Sequence, residues 1–184
     1  SGHLNYNFYG NNMASRNKAL VKNLPYSDAV KAYISCNIEL DKAMEALLKR
    51  LEEAGKLDDT LIVISPDHYP YGLSAKQINE ASSFNRNSAF ELYHTTLIMY
   101  NSAVETTVVN KYASSIDILP TVYNLFGLDF DSRLLMGRDL LNTDEDGLII
   151  LSNRSWKTEK GSYSSISKKF TPNEGITVEE GYVD

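Results

Sequence analysis

A single cysteine, Cys36, in 184 residues rules out a disulfide within the chain. It sits inside a helical apolar pattern, where a small packing residue is the natural reading and a reactive thiol is not. So little cysteine fits cytoplasm and the outside of a Gram-positive cell equally well. Basic residues are also in short supply, with 18 Lys and Arg against 24 Asp and Glu and a net charge of −6. That sign opposes a phosphate-backbone partner, so nucleic acid is excluded as an expected ligand. No apolar run approaches the ~20 residues of a membrane span. The start carries no basic-then-apolar signal pattern. It opens on Ser1-Gly2-His3 without an initiator Met, which suggests a fragment or processed form. Any targeting segment or membrane span is then expected upstream.

What is present is globular. Hydrophobic residues at 42% and charged residues at 23% support a buried core and not a disordered chain. The length suits one domain. The expected division is an irregular loop over 1–26, an α/β core over 27–165 and a polar, extended tail over 166–184.

The spacing predicts a long helix after Pro25, with Ser27 as its N-cap and Asp28 in its first turn. Val30, Ile34, Leu40, Met44, Leu47 and Leu51 recur at three- to four-residue steps and make one apolar stripe, expected to face a sheet. Gly55 suits the left-handed cap that ends it. The β-branched run 60–64 then reads as a parallel strand buried on both faces. A helix followed by such a strand is an α/β unit. A short helix is expected over 74–82, a polar connection over 83–91, a strand over 95–100 and a weaker strand near 106–109. Ser114 to Asp117 opens a further helix with Pro120 in its first turn. Val122, Leu125 and Phe126 should point inward, and Gly127 should stop it. Leu148 to Leu151 is a third apolar run.

Ser65-Pro66 ends the first strand, so Asp67 and His68 fall at its carboxyl end, where open α/β sheets place ligands. Adjacent residues on an ideal strand point to opposite faces, but just beyond a strand end both can converge on one ion. A carboxylate and a neutral imidazole are ordinary ligands of Zn²⁺ or Mn²⁺. The pair alone reads more readily as a turn-capping Asp beside a surface His.

Its surroundings add a resemblance. Ile62-Val63-Ile64-Ser65-Pro66-Asp67-His68-Tyr69-Pro70-Tyr71-Gly72 is similar to the strand and metal-ligand turn of the alkaline phosphatase/sulfatase superfamily, and within it to the lipoteichoic acid synthase-like group. Ser1-Gly2-His3 resembles a loop of that group, and 54–60 resembles its helix-to-strand junction. Ser115 to Thr121, followed by Leu125-Phe126-Gly127-Leu128, resembles the superfamily's late helix. Gly137-Arg138-Asp139-Leu140-Leu141 resembles the segment after it. The blocks stand in family order over about residues 1–165.

The resemblance implies an alkaline-phosphatase-like α/β fold, of which this chain is the C-terminal portion of a mixed or parallel sheet flanked by helices. It implies one divalent metal held by Asp67 and His68, with Mn²⁺ the first choice and Zn²⁺, Mg²⁺ or Ca²⁺ the alternatives. The Glu ligand and the Thr nucleophile of the group match nothing here and are expected ahead of Ser1. This chain then carries no catalytic nucleophile and holds the metal weakly or not at all. His3 matches a histidine that contacts the substrate's phosphate-type head group. The implied substrate is a phosphoglycerol or sulfate ester. The implied partner is the N-terminal part of the same protein, at the extracellular face of a bacterial membrane. A metal ion suits such esters because it lowers the pKa of an attacking hydroxyl and relieves charge on the non-bridging oxygens. The alternative is a non-catalytic module that keeps the fold and binds a cell-surface polymer.

Other candidates read as structural. His94 precedes a strand, Asp117 suits a helix-start cap, and Asp41 lies on the long helix near Asn37. Arg154, Ser155 and Trp156 could line a cleft, or Trp156 could cover a sheet edge. Tyrosines 6, 9, 26, 33, 69 and 71 could stack on a sugar or glycerol group.

Overall fold

The computed structural model describes residues 3–144 and 146–183. Its longest element is the helix that the apolar spacing requires, α3 (Asp28–Glu53), preceded by α1 (Asn12–Arg16) and α2 (Lys18–Val21). The segment read from sequence as an irregular loop over 1–26 is thus partly helical. Asn11 caps α1 by accepting from the backbone N–H of Met13 at 3.0 Å and of Ala14 at 3.2 Å. Helices of five and four residues are too short to display a 3.6-residue period, which is why the pattern hid them.

The stripe on α3 meets helices and not the sheet expected for it. Its buried residues, Val30, Ala32, Ser35 and Cys36, lie in the first three turns, and α1, α2 and α4 (Ala75–Glu80) pack on it. Small side chains there let Ala14 and Val21 come close enough to be fully covered. Further along, Leu40 and Leu47 stay more than 40% exposed. Gly55, at φ 62°, lets Lys56 N–H reach Leu51 O and Gly55 N–H reach Glu52 O, the paired bonds of a Schellman stop.

Ser27 occupies the N-cap position of α3 but makes no side-chain cap bond. Its hydroxyl donates instead to Glu80 Oε2 at 2.8 Å, and its N–H donates to the same carboxylate. Glu80 therefore ties the end of α4 to the positive end of α3. The Ser27 hydroxyl, then the Ser27 N–H, hold the Glu80 carboxyl below the usual glutamate range. A lowered folded-state pKa contributes stability above the unfolded value that is lost as pH falls through the folded one. Glu80→Gln should accordingly lower the thermal midpoint at pH 7. The gap from the parent should narrow below about pH 4, as read by circular dichroism melts across pH.

β1 (Ile62–Ile64) pairs antiparallel with β2 (Ile98–Tyr100), with Ile62 opposite Tyr100 and Ile64 opposite Ile98. This differs from the expected parallel strand buried on both faces: Val63 is 37% and Ile98 48% exposed. A β-branched run looks the same in sequence whether its neighbours lie in the same segment or not, so the run indicates a strand without naming its partner. α4 falls where expected. The connection expected over 83–91 ends in a short helix, α5 (Ala89–Leu92), capped by the Ser88 hydroxyl.

The chain divides into two compact units, Ser1–Glu105 and Thr106–Asp184, where the sequence suggested one domain. The weaker strand expected near 106–109 does not form, and Val108 is 76% exposed. A 3₁₀ turn, Ser115–Asp117, leads into α6 (Ile118–Leu125), with Pro120 buried in the first turn. Asp117 is the cap expected of it, and more. It accepts from Ser114 N–H at 2.7 Å and from Arg138 N–H at 2.8 Å. Thr121 extends the tie by donating to Asp117 O and accepting from Leu140 N–H. The Gly137 segment is strapped to the helix start so closely that a Cβ at 137 would stand 2.0 Å from Ile116 O. Leu125 and Phe126, expected to point inward, are 43% and 56% exposed. Thr121 and Pro120 are buried in their place, because the strap covers that side of the helix.

Strands β3 (Ile149–Ile150), β4 (Trp156–Thr158), β5 (Gly161–Ser164) and β6 (Lys169–Pro172) form an antiparallel sheet in that order. Trp156 faces Tyr163 and Tyr163 faces Phe170 across the ladders, so three aromatics share one face. The tail is extended, as expected of it, only over β6. It supplies β6 and then folds back, so that Tyr182 packs edge-on to Trp156 and Phe170 and bonds Thr158 Oγ1 at 2.8 Å. Asp184 lies outside the described residues.

Candidate metal centre

Asp67 and His68 stand just past the end of β1, on an exposed turn opened by Ser65 and Pro66. Their side chains converge, with His68 Nε2 3.5 Å from Asp67 Oδ1. His68 Nδ1 lies 2.8 Å from Tyr69 O, so Nδ1 carries the proton and donates it to that carbonyl. Nε2 is then the ring nitrogen that faces the carboxylate, the orientation that a backbone carbonyl imposes on a metal-binding histidine. Two ligand atoms each ~2.1 Å from a tetrahedral ion stand about 3.4 Å apart. The 3.5 Å separation is close to that spacing. Among the described residues no third His, Cys, Asp or Glu joins the pair.

The aromatic surround comes from the same turn. The Tyr71 ring lies 4.5 Å from the His68 ring, and Tyr69 meets Tyr71 at 6.4 Å and Tyr93 at 5.5 Å. Gly72 follows because the N-terminal segment crosses there: a Cβ on it would stand 1.8 Å from Leu4 Cδ2 and 3.0 Å from the Tyr6 ring. Tyr6 is buried against Tyr33 at 5.1 Å. Burial first, then the neighbours Tyr33, Cys36, Tyr71 and Asp67, push its phenol up.

His3 belongs to this crossing segment. It is exposed, and its Nδ1 lies 3.3 Å from Leu4 O. The carbonyls of His3 and Asn5 each accept from Asn11 Nδ2 at 3.0 Å, and the same amide approaches Cys36 Sγ at 3.3 Å. Asn11 thus fixes the His3 backbone to α1 while its Oδ1 caps that helix. Ser1 and Gly2, which complete the motif in sequence, lie outside the described residues. Cys36 is buried and its thiol is pushed up by that burial, as a packing residue requires.

The remaining candidates have settings of their own. His94 bonds Glu91 Oε2 at 3.1 Å and packs on Phe84 at 5.0 Å, a structural role. Asp41 is exposed on α3 and Asp117 is the cap described above. The tyrosine group divides: Tyr6 and Tyr33 are core partners, Tyr69 and Tyr71 flank His68, and Tyr9 is 97% exposed. Arg154 and Trp156 line a cleft of the second unit. Sequence reading missed Asn11, and took in Gly72 as part of the motif without a role of its own. The available signals were an Asn at N-cap spacing before Met13 and Ala14, and a Gly one residue beyond Tyr71.

A carboxylate and an imidazole thus stand together just past a strand end in a chain of mixed helices and strands. Residues 4–128 match the sulfatase family model, and the chain belongs to that family. It is similar to the lipoteichoic acid synthase of Staphylococcus saprophyticus, at 29% identity over 142 residues, covering 73% of this chain and 21% of that protein. It is also similar to lipoteichoic acid synthase 2 of Bacillus subtilis, at 29% over 153 residues, covering 79% of this chain and 23% of the relative. The lipoteichoic acid synthase of Staphylococcus aureus matches at 24% over 162 residues, or 85% of this chain and 25% of that protein. The chain thus spans between a fifth and a quarter of the length of these relatives.

Proposed function

We propose that this chain is the C-terminal portion of the catalytic domain of a metal-dependent phosphoglycerol transferase or sulfatase-type enzyme. Its substrates are phosphate or sulfate esters at the extracellular face of a bacterial membrane, with phosphoglycerol transfer preferred because the named relatives are lipoteichoic acid synthases. The observation that carries the reading is the 3.5 Å convergence of His68 Nε2 on Asp67 Oδ1, with Nδ1 committed to Tyr69 O.

In this reading Asp67 and His68 are two ligands of one ion, Mn²⁺ by preference. The ion supplies Lewis-acid relief of charge on the ester oxygens and a lowered pKa for the attacking hydroxyl. The nucleophile and further ligands come from the rest of the protein. That same portion supplies the neighbours of β1 in an alkaline-phosphatase-like sheet, and the half-exposed Val63 and Ile98 support a ladder built to be covered. His3 contacts the ester head group from the segment crossing Gly72.

The test compares the 184-residue chain with the complete protein on a nitrophenyl phosphodiester, with and without Mn²⁺. Metal-dependent turnover is expected from the complete protein and none from the chain alone. Turnover by the chain, lost in Asp67→Ala, would place the nucleophile within it and overturn the fragment reading. A complete protein that binds an anionic cell-surface polymer but turns over no ester under any metal would be the non-catalytic module.

A further inference from the structure

Charge is not spread evenly along the first unit. No Asp or Glu stands among residues 1–27, where Arg16, Lys18 and Lys22 lie, and all 24 acidic residues follow. Arg16 is paired with Glu39 at 3.1 Å. Lys18 and Lys22 are exposed, and among the described residues neither has an ion-pair partner. Lys31 on α3 donates from Nζ to Lys22 O at 3.3 Å, which brings a third ammonium beside them.

Helix geometry sorts the side chains of this segment. Asn17 and Val21, one turn apart, are buried, and Asn17 Nδ2 donates to Ser35 O of α3 at 3.1 Å. Lys18, Ala19, Leu20 and Lys22 then fall on the outward arc, with Leu20 64% exposed. Tyr9, almost wholly exposed, joins them through Lys18, whose Nζ lies 5.2 Å from the Phe8 ring and 6.0 Å from the Tyr9 ring. The Tyr9 backbone is itself fixed, its N–H donating to Asn7 Oδ1 at 3.0 Å. Two lysines, a leucine and a tyrosine thus stand together on the outside, on backbone held from behind.

A bilayer surface with anionic headgroups suits all four. The leucine and the tyrosine ring enter the boundary between headgroups and acyl chains, while the lysines lay their stems along it and reach the phosphates. The chain as a whole, at a net charge of −6, is repelled by such a surface. Charge therefore selects the acid-free side as the one that faces it. A stable protein partner would need a broader apolar centre than one leucine and one tyrosine supply.

We propose that Tyr9, Lys18, Leu20 and Lys22 dock the first unit on an anionic phospholipid bilayer. That a membrane is at hand rests on the function proposed above; the surface rests on charge and exposure alone. The 184-residue chain, with a metal chelator, is sedimented with vesicles of phosphatidylcholine alone or mixed equally with phosphatidylserine or phosphatidylglycerol. Phosphatidylserine supplies the charge without a phosphoglycerol headgroup, so the ester site plays no part. Binding is expected to both anionic vesicles, weakening as salt rises, and not to phosphatidylcholine alone. Lys18→Glu with Lys22→Glu should weaken it about tenfold or more, and Lys18→Arg with Lys22→Arg should keep it. Tyr9→Ser with Leu20→Ser should weaken it severalfold at unchanged salt dependence. All four side chains are exposed, and an unchanged circular dichroism melt verifies that each variant folds. No binding to phosphatidylserine vesicles, or equal binding by the glutamate variant, overturns the proposal. Binding confined to phosphatidylglycerol vesicles overturns it in favour of headgroup recognition. Self-association that Tyr9→Ser with Leu20→Ser abolishes, in place of vesicle binding, gives the surface to a second copy and overturns it too. Ester turnover by the complete protein, beside a chain that ignores every vesicle, removes this inference alone and leaves the proposed function standing.

Discussion

His68→Ala in the complete protein should lose bound metal and turnover together. The imidazole is oriented by its two neighbours. Nδ1 is spent on Tyr69 O, and Nε2 is presented to Asp67 Oδ1 at 3.5 Å. Removing it leaves a carboxylate alone on the turn, and a site that loses a ligand loses binding energy directly. Loss of an outer-sphere partner typically costs 10–100-fold in metal affinity or activity, so loss of the ligand itself should exceed ~100-fold in both. The side chain is 41% exposed, and substitutions at exposed positions usually change stability by no more than about 0.5 kcal/mol. A metal deficit in a variant that melts normally is therefore a ligation effect and not unfolding. Metal content by mass spectrometry, read beside steady-state rates and a melting curve, checks this. Retention of full metal occupancy by His68→Ala would remove His68 from the ligand set.

The site was more legible in the sequence than the packing around it. Ser65-Pro66 ends a β-branched run, and that alone places Asp67 and His68 just beyond a strand. Their convergence follows from the turn and needs no distant contact. Gly55 and Gly127 stop their helices because a left-handed residue is needed there, a local requirement that local sequence can display. Partners of an apolar face are another matter. The stripe on α3 is periodic whether it meets a sheet or helices. It meets α1 and α2, which are too short to show a period of their own. Asp117 was legible as a cap, but its second partner, Arg138 N–H, is 21 residues away, and no local pattern announces such a tie. The aromatic face of β4, β5 and β6 was hidden for a similar reason: Trp156, Tyr163 and Phe170 are seven residues apart at each step, and only hairpin register stacks them.

His3→Ala in the complete protein should lose turnover while keeping its metal. The two histidines are set up differently. His68 has one nitrogen committed and the other aimed at a carboxylate. His3 is exposed, with Nδ1 only loosely associated with Leu4 O at 3.3 Å, so its ring is available to a ligand. Its backbone is nonetheless fixed, because Asn11 Nδ2 donates to the His3 and Asn5 carbonyls and the segment crosses Gly72 in the turn after Asp67 and His68. A ring held in that way can meet ester oxygens as charge builds on them. Loss of one such donor costs about 10²–10³ in kcat, or roughly 2.7–4 kcal/mol. Metal content should stay at the parent level, since no ligand is removed. Asn11→Ala supplies the internal control: it leaves the imidazole in place and frees its backbone. It should therefore reduce kcat by less than His3→Ala, again without metal loss. Steady-state kinetics and metal analysis on the three variants separate the roles. If His3→Ala loses its ion while His68→Ala keeps it, the two assignments are reversed. If neither changes rate or metal, the polymer-binding module becomes the better account of this chain.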